Sequence, residues 1–246
     1  MGVEKIRLDK LLVDRGITPT REKARALILA KAVKINETYP DKADILFPVD
    51  AQVQLKGEDN PYVSRGGLKL KGALEEFKLD VRDFVVLDVG VSTGGFTDCL
   101  LQAGARKVYS LDVGYGQLAW KLREDKRVVV IERTNIRYYD GGHLKELPDL
   151  ATIDVSFISL KIVLPPVVRL LKDKAQILAL IKPQFEAGRE EVGKKGLVKD
   201  PAVHDQVILR VANFCQTLDL KVEGTCSSPL LGPAGNKEFF ILLRKN

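Results

Sequence analysis

Residues 84–101, FVVLDVGVSTGGFTDCLL, constrain the fold more than any other stretch of this chain. FVVLDV reads as a buried strand, GVSTGG as a glycine-rich turn, and FTDCLL as the start of an apolar-faced helix. A strand that delivers a flexible loop to a helix N-terminus builds a site for a nucleotide-type cofactor. At Gly90, Gly94 and Gly95 the backbone can approach a ligand that a Cβ would block. A second strand, KVYSLDVG, ends in Asp112, 22 residues past Gly90. That is the spacing of an acid that accepts hydrogen bonds from ribose hydroxyls. The loop is not G-x-G-x-x-G, which argues against a dinucleotide and for S-adenosylmethionine (SAM). The bland alternative is a tight strand-to-helix turn in an ordinary α/β protein.

Strands alternate with helices from residue 62 onward, which implies a parallel, doubly wound sheet. Strands are expected near 84–90, 107–113, 128–132, 150–156 and 175–182, with helices between them. A helix over 202–217 leads to LKVEGTCSS and KEFFILLR, whose short connection, PLLGPAGN, implies an antiparallel hairpin. Residues 5–36 read as two short helices and a strand. Leu8, Leu11 and Leu12 have helical spacing, Gly16 stops the first helix, and Thr20 caps the second, with Ala24, Leu27 and Ile28 facing inward. AVKIN and ILFPVDAQVQL follow as strands. The breaker-rich GEDNP at 57–61 marks a linker between a domain at 1–60 and one at 61–246.

Of the 246 residues 45% are hydrophobic, enough for a sizeable core, and the formal net charge is +6. Residues 1–36 hold nine basic side chains against four acidic ones, most of that surplus. A concentrated basic patch suits a polyanion, nucleic acid or an anionic membrane, although a solvated helix face looks the same. The three cysteines are odd in number and lack metal-ligand spacing, and His143 and His204 stand alone, so no metal site is expected. MGVEKIRLDKLL is charged throughout, unlike a signal peptide. No apolar run nears the roughly 18 residues of a membrane span. A cytoplasmic protein with no membrane role and no stable protein partner is expected.

Several motifs together carry a family resemblance: YVSRGGLKL from Tyr62, DVGVSTGGFTD, LDVGYGQLAW, ERTN, DVSFISL, LIKPQFE and GNKEFFILL. In order and spacing they resemble the TlyA family of ribosomal RNA 2′-O-methyltransferases, historically labelled hemolysin A. The resemblance spans essentially the whole chain. It implies a small α+β RNA-binding domain similar to that of small-subunit ribosomal protein four, carried by RLDKLL, TREKARALI and VKIN. It implies next a Rossmann-like class I methyltransferase domain of the FtsJ type, α/β with a mostly parallel seven-stranded sheet. Lys31 and Glu37 stand where that small domain usually has glycine, which puts the local turn geometry in question. Tyr62 stands where relatives often have Trp. The short stub after the last strand matches shorter family members, which are associated with the large ribosomal subunit only.

The resemblance also implies site residues. The FtsJ-type catalytic tetrad falls on Lys69, Asp154, Lys182 and Glu238. Asp154 and Lys182 independently end predicted strands, at the edge where open α/β sheets bind ligands. A ribose hydroxyl is a poor nucleophile, so it must lose its proton or be polarised as the bond forms. Lys182 is the candidate that touches it, as a base or, preferably, as a charged group that stabilises the developing alkoxide. For SAM, Gly90, Gly94 and Gly95 offer backbone, Ser92 and Thr93 hydroxyls, and Phe96 an apolar wall or plain helix packing. Asp112 and Asp154 offer carboxylates, and Asn135 is placed to read adenine. Arg7, Arg21, Lys34 and Arg65 are expected to touch ribosomal RNA. The charged stretch 186–200 reads as a lid, a substrate loop or a plain connection. Three other functions compete: a membrane-acting hemolysin, an RNA-binding assembly factor without catalysis, and a methyltransferase for protein or small molecules.

Overall fold

The computed structural model describes residues 5–55, 60–232 and 235–246. Residues 1–4 of the charged N-terminus, 57–59 of the expected linker and 233–234 of the last turn lie outside them. The chain forms two compact units, Met1–Asn60 and Pro61–Asn246.

The first unit packs α1 (Leu8–Asp14) against α2 (Arg21–Leu29). Strand β1 (Lys5–Arg7) precedes them and β2 (Val33–Ile35), β3 (Leu46–Pro48) and β4 (Val53–Leu55) follow, pairing antiparallel as β1–β3 and β2–β4. Leu8, Leu11, Leu12, Ala24, Ile28, Val33 and Ile35 form its core, and Thr20 accepts from the Lys23 amide as the cap of α2. The sequence reading missed β1, because three residues are too short to display an alternation. Lys31 and Glu37 do adopt the left-handed turns that glycine would favour, with φ of 52° and 68°. The chain keeps the family geometry there at a cost of about 1–2 kcal/mol per side chain.

In the second unit α3 (Arg65–Glu76) leads into β5 (Val85–Val89), α4 (Gly95–Gln102), β6 (Lys107–Leu111), the single-turn α5 (Trp120–Arg123) and β7 (Val128–Ile131). Then come β8 (Leu150–Ile153), α6 (Leu160–Arg169), β9 (Gln176–Ile181), the short α7 (Pro183–Glu186), α8 (Pro201–Gln216), β10 (Leu220–Ser227) and β11 (Phe239–Lys245). These strands make one seven-stranded sheet in the order β10-β11-β9-β8-β5-β6-β7. Only β11 runs antiparallel to its neighbours, β9 and β10. Between β7 and β8 there is no α-helix, only a 3₁₀ turn at Ile136–Tyr138. The intervening DGGHLKELPD has two glycines, a proline and no helical periodicity, so a helix there has no apolar face to bury.

Strand β5 is buried along its whole length, as a central parallel strand must be. Its chain crosses through α4 to β6 on one side, while β8 lies on the other. The strand order reverses there, and such a switch point opens a crevice at the carboxyl ends of β5 and β8. The apolar clusters on the two sheet faces involve α6 and α8 on one side and α3, α4 and α5 on the other. They leave that crevice open at the edge.

Candidate active site

The loop 90–95 leaves β5 toward this crevice. Gly90 (φ 86°) donates its amide to the Leu111 carbonyl, and a Cβ here would collide with the Asp154 carbonyl oxygen. Gly94 (φ 97°) lies against α5, where a Cβ would collide with Leu122 and come within 2.6 Å of Leu118 just before that helix. A Cβ on Gly95 would reach Ser64 and lie 2.9 Å from the Gly67 amide. The expectation that these glycines clear a path for the ligand therefore needs correction. Their missing side chains let β5 approach β8, and let α4 approach α3 and α5. Gly90 and Gly95 still present backbone to the cleft, whereas Gly94 does not line it. The loop is tied to β6, because Ser92 (φ 51°) donates its amide to Asp112 Oδ2 at 2.7 Å. Asp112 Oδ1 accepts from Gly114 N at 2.7 Å. Each carboxylate oxygen keeps a second lone pair for a ligand hydroxyl.

Two adjoining clefts open at the carboxyl edge, of about 470 and 490 Å³, and share Gly90, Ser92, Asp154 and Ser156. The second is apolar, with Leu111, Val113, Ile136 and Ile158 in its walls and Asp112 and Asn135 among its polar groups. The first contains Lys69, Lys182, Arg65, Thr93 and Phe96. An apolar slot with a carboxylate at its rim fits an adenosine. Asp154, the one acid of the first cleft and shared by both, is the group a cationic sulfonium would face, with Arg65, Lys69 and Lys182 on the cleft's other walls. The residues present thus fit SAM across the two clefts. Asn135 lines the apolar slot, but its Oδ1 accepts from the Arg137 amide at 3.1 Å, as the cap of the 3₁₀ turn, and from Arg137 Nε at 3.3 Å. Only its NH₂ is left to meet a base. Phe96 is 3% exposed and its ring stacks on Phe240 with centroids 6.1 Å apart. It is a packing residue that also closes the cleft wall.

The four residues expected as a tetrad form two ion pairs. Lys182 Nζ lies 2.6 Å from Asp154 Oδ1 and donates to Ser156 Oγ at 2.9 Å. Lys69 Nζ lies 2.6 Å from Glu238 Oε2. Lys69, Asp154 and Lys182 line the first cleft, with Glu238, 1% exposed, behind Lys69. Register explains the grouping. Phe239 pairs with Ile181, so Glu238 and Lys182 leave neighbouring strands at the same level. Glu238 Oε1 has no hydrogen-bond partner among the described residues. Gly232 passes so close to it that any side chain there would overlap the carboxylate.

Several contributors escaped the sequence reading. Ser156, the partner of Lys182, sits in the run after β8 and gives no signal of its own. Phe157 is 91% exposed at φ 63° and meets Phe185 with ring centroids 5.0 Å apart, an apolar surface beside the cleft. Glu186 fastens that run by accepting from Ser159 Oγ at 2.6 Å and Leu160 N at 2.7 Å, and burial raises its carboxyl above the usual range. Asp88, inside β5, is fully buried. It accepts from Thr97 Oγ1 at 2.7 Å and from Thr152 Oγ1 at 2.9 Å, which joins β5 to α4 and β8. Burial pushes its carboxyl up to about 7. In sequence, Asp88 looks like one more residue of an apolar strand.

The residues expected to touch RNA are arranged differently from free phosphate contacts. Arg7 and Arg21, joined by Arg25, converge on the fully buried Asp9, with nitrogen–oxygen distances of 2.8–3.1 Å. The guanidiniums hold that carboxyl well below its ordinary range, Arg7 contributing most. All three remain half exposed. Lys34 pairs with Glu37 at 2.5 Å. Arg65 lies in the wall of the first cleft, with its guanidinium 3.4 Å from the Leu231 carbonyl.

Comparison with known proteins places this geometry in a family. Residues 62–245 match the model for FtsJ-like methyltransferases, and residues 6–38 match the S4 domain. A Bacillus subtilis protein provisionally named rRNA methyltransferase YqxC is 52% identical over 99% of this chain and 87% of its own. The 16S/23S rRNA (cytidine-2′-O)-methyltransferase TlyA of Mycobacterium tuberculosis is 45% identical over 97% of this chain and 89% of its own. A solved structure from Streptococcus thermophilus, provisionally described as a hemolysin, superimposes with a TM-score of 0.79 at 44% identity. It covers 100% of this chain and 90% of that one. No helix among the described residues is long and apolar enough to cross a membrane. With an S4 domain ahead of an FtsJ-like methyltransferase domain, and relatives this similar along almost its full length, the chain belongs to the TlyA family.

Proposed function

We propose that this protein methylates the 2′-hydroxyl of a cytidine in ribosomal RNA of the large subunit, in the cytoplasm, with SAM as donor. The observation that carries the reading is the pair of lysine–carboxylate contacts at the mouth of a two-part cleft, Lys182–Asp154 and Lys69–Glu238. SAM, when bound, supplies an electrophilic methyl group on a sulfonium. Asp112 and the apolar slot hold its adenosine half, and Asp154 and the backbone of Gly90 face the other half.

Lys182 meets the ribose. The carboxylate 2.6 Å from its nitrogen supports an electrostatic and orienting contribution rather than that of a base. The lysine orients the 2′ oxygen by hydrogen bonding and offsets the negative charge that develops on it as the O–C bond forms and the hydroxyl proton passes to solvent water. Asp154 and Ser156 fix the ammonium in place. Lys69, itself fixed by Glu238, adds a second positive charge in the same cleft. The S4 domain brings the RNA, with Arg7 and Arg21 facing phosphates as part of the arginine group around Asp9. The large subunit is within reach of this reading because the 45% identical TlyA of Mycobacterium tuberculosis is named for 23S as well as 16S rRNA.

The test is methyl transfer from labelled SAM to isolated large and small subunits, followed by mapping of the labelled nucleotide. The expected product is a 2′-O-methylcytidine in the large subunit. Lys182→Ala should keep its SAM affinity and lose on the order of 10²-fold or more in turnover. Label on a base, label only in the small subunit, or near-wild-type turnover by Lys182→Ala would overturn the proposal. Leakage from liposomes without methyl transfer would favour the hemolysin reading.

A further inference from the structure

Residues 187–200 follow the single turn of α7 after the Lys182 strand, and the function proposed above leaves them without a role. They are not loosely hung. Glu191 accepts from the Gly188 amide at 2.6 Å and binds Arg210 of α8 at 2.9 Å. Gly193 N donates to the Leu197 carbonyl at 3.0 Å. The buried ring of His204 bonds the Val198 carbonyl at 3.0 Å. Asn236, 2% exposed, holds the crest of the loop from the other side. Its Oδ1 accepts from Val198 N and its Nδ2 donates to the Gly196 carbonyl, both at 2.9 Å. A segment fastened at so many points is not a hinged lid.

This anchored crest carries charge outward. Lys194, Lys195 and Lys199 are exposed and form no ion pair among the described residues. Two nearby acids are already engaged, Glu191 with Arg210 and Asp200 as the cap of α8, where it accepts from Ala202 N at 2.9 Å. Glu190 remains exposed, and the three ammonium groups outnumber it. Asn236 stands two residues before Glu238, at most about 7 Å along the backbone. Glu238 in turn holds Lys69 in the cleft. One buried amide thus connects a lysine-bearing surface to the side chains around the proposed reaction centre.

We infer that segment 193–199 is a fixed arm that grips phosphates of the RNA strand flanking the target nucleotide, and that Asn236 is the positioning residue that keeps this arm in register with Glu238. The inference rests on the proposed RNA substrate. Ammonium groups at this density suit a phosphate backbone, which needs charge and no base-specific geometry. Asparagine is required at 236 because it offers one acceptor and one donor side by side. Aspartate keeps the acceptor and loses the donor.

The experiment compares wild type, the surface variant Lys194→Glu/Lys195→Glu/Lys199→Glu, and Asn236→Asp. Methyl transfer is measured with ribosomal subunits, and filter binding with the corresponding rRNA fragment across a salt series. The triple variant should raise KM for RNA at least tenfold, keep SAM Kd and kcat, and flatten the salt slope by about 2, as expected for three contacts to a single strand. Asn236→Asp should keep SAM affinity and lower kcat at saturating RNA at least tenfold. Asn236→Ala repeats the measurement if the aspartate variant melts early. An unchanged RNA affinity and salt slope in the triple variant would overturn the arm, and an unchanged kcat in both Asn236 variants would overturn the register. Filter binding reads the arm even if no subunit accepts a methyl group, so the inference and the proposed activity fail separately.

Discussion

Removing one partner of the Lys69–Glu238 pair gives the most direct test of how the site is held. Glu238 is 1% exposed and Lys69 8%, and their charged atoms are 2.6 Å apart. In Lys69→Met the side-chain volume is nearly kept, and a buried carboxylate is left without its cation. Breaking a buried pair in this way costs about 3–5 kcal/mol. Glu238 is an unfavourable place for such a charge, because its Oε1 already lacks a partner among the described residues and Gly232 leaves no room to swing away. At about 2–4 °C per kcal/mol for a unit of this size, the melting temperature should fall by roughly 6–20 °C. Glu238→Gln added to Lys69→Met removes the stranded charge and should recover about 2–3 kcal/mol of the loss. Urea unfolding of the four proteins of this cycle, followed by circular dichroism and by the single tryptophan, Trp120 in the catalytic unit, measures the coupling. A loss below about 1 kcal/mol in Lys69→Met, or a double variant no more stable than the single one, would refute the argument from burial.

Other outcomes follow from named geometry. Asp88 holds its proton in the folded state up to about pH 7, whereas the unfolded chain releases it near pH ~4. Its contribution to stability is therefore full below that lower value and is lost as pH rises to about 7. Asp88→Asn should abolish this slope and gain stability on wild type above pH 7, and parallel stability curves for the two proteins across pH 4–8 would contradict it. Gly94→Ala should destabilise by about 2–4 kcal/mol through its positive φ and its clash with Leu122 and Leu118. Calorimetry on the folded protein should still show SAM binding, and a stable variant that cannot bind SAM would put Gly94 back at the ligand. Lys31→Gly and Glu37→Gly should each gain about 0.5 kcal/mol, the left-handed strain relieved less the entropy of glycine. Thermal melts of the S4 unit's transition check this, and a loss of stability in both variants would contradict it.

What could be read in the sequence was what repeats at short range or carries a fixed chain spacing. The apolar run of β5, the glycines after it and Asp112 are all local signals, and they located the carboxyl edge of the sheet. The family motifs then assigned Lys69, Asp154, Lys182 and Glu238, and the fold brings these four into two ion pairs. The partner of each charge was decided by tertiary structure. Glu238 meets Lys69 across 169 residues because β11 inserts beside β9, and no spacing along the chain encodes that pairing. Asp88 is written as one residue of an apolar strand, and only Thr97 and Thr152 arriving from α4 and β8 make it a buried junction. Arg7 and Arg21 read as free cations until Asp9, enclosed by the packing of α1 on α2, gathers them. Gly94 read as space for a ligand, whereas the neighbours that need the space are Leu122 and Leu118. Short-range pattern sets where chain segments go, because periodicity and turn chemistry act within a few residues. Burial and charge pairing depend on which segments meet, and that is settled only when the whole sheet has formed.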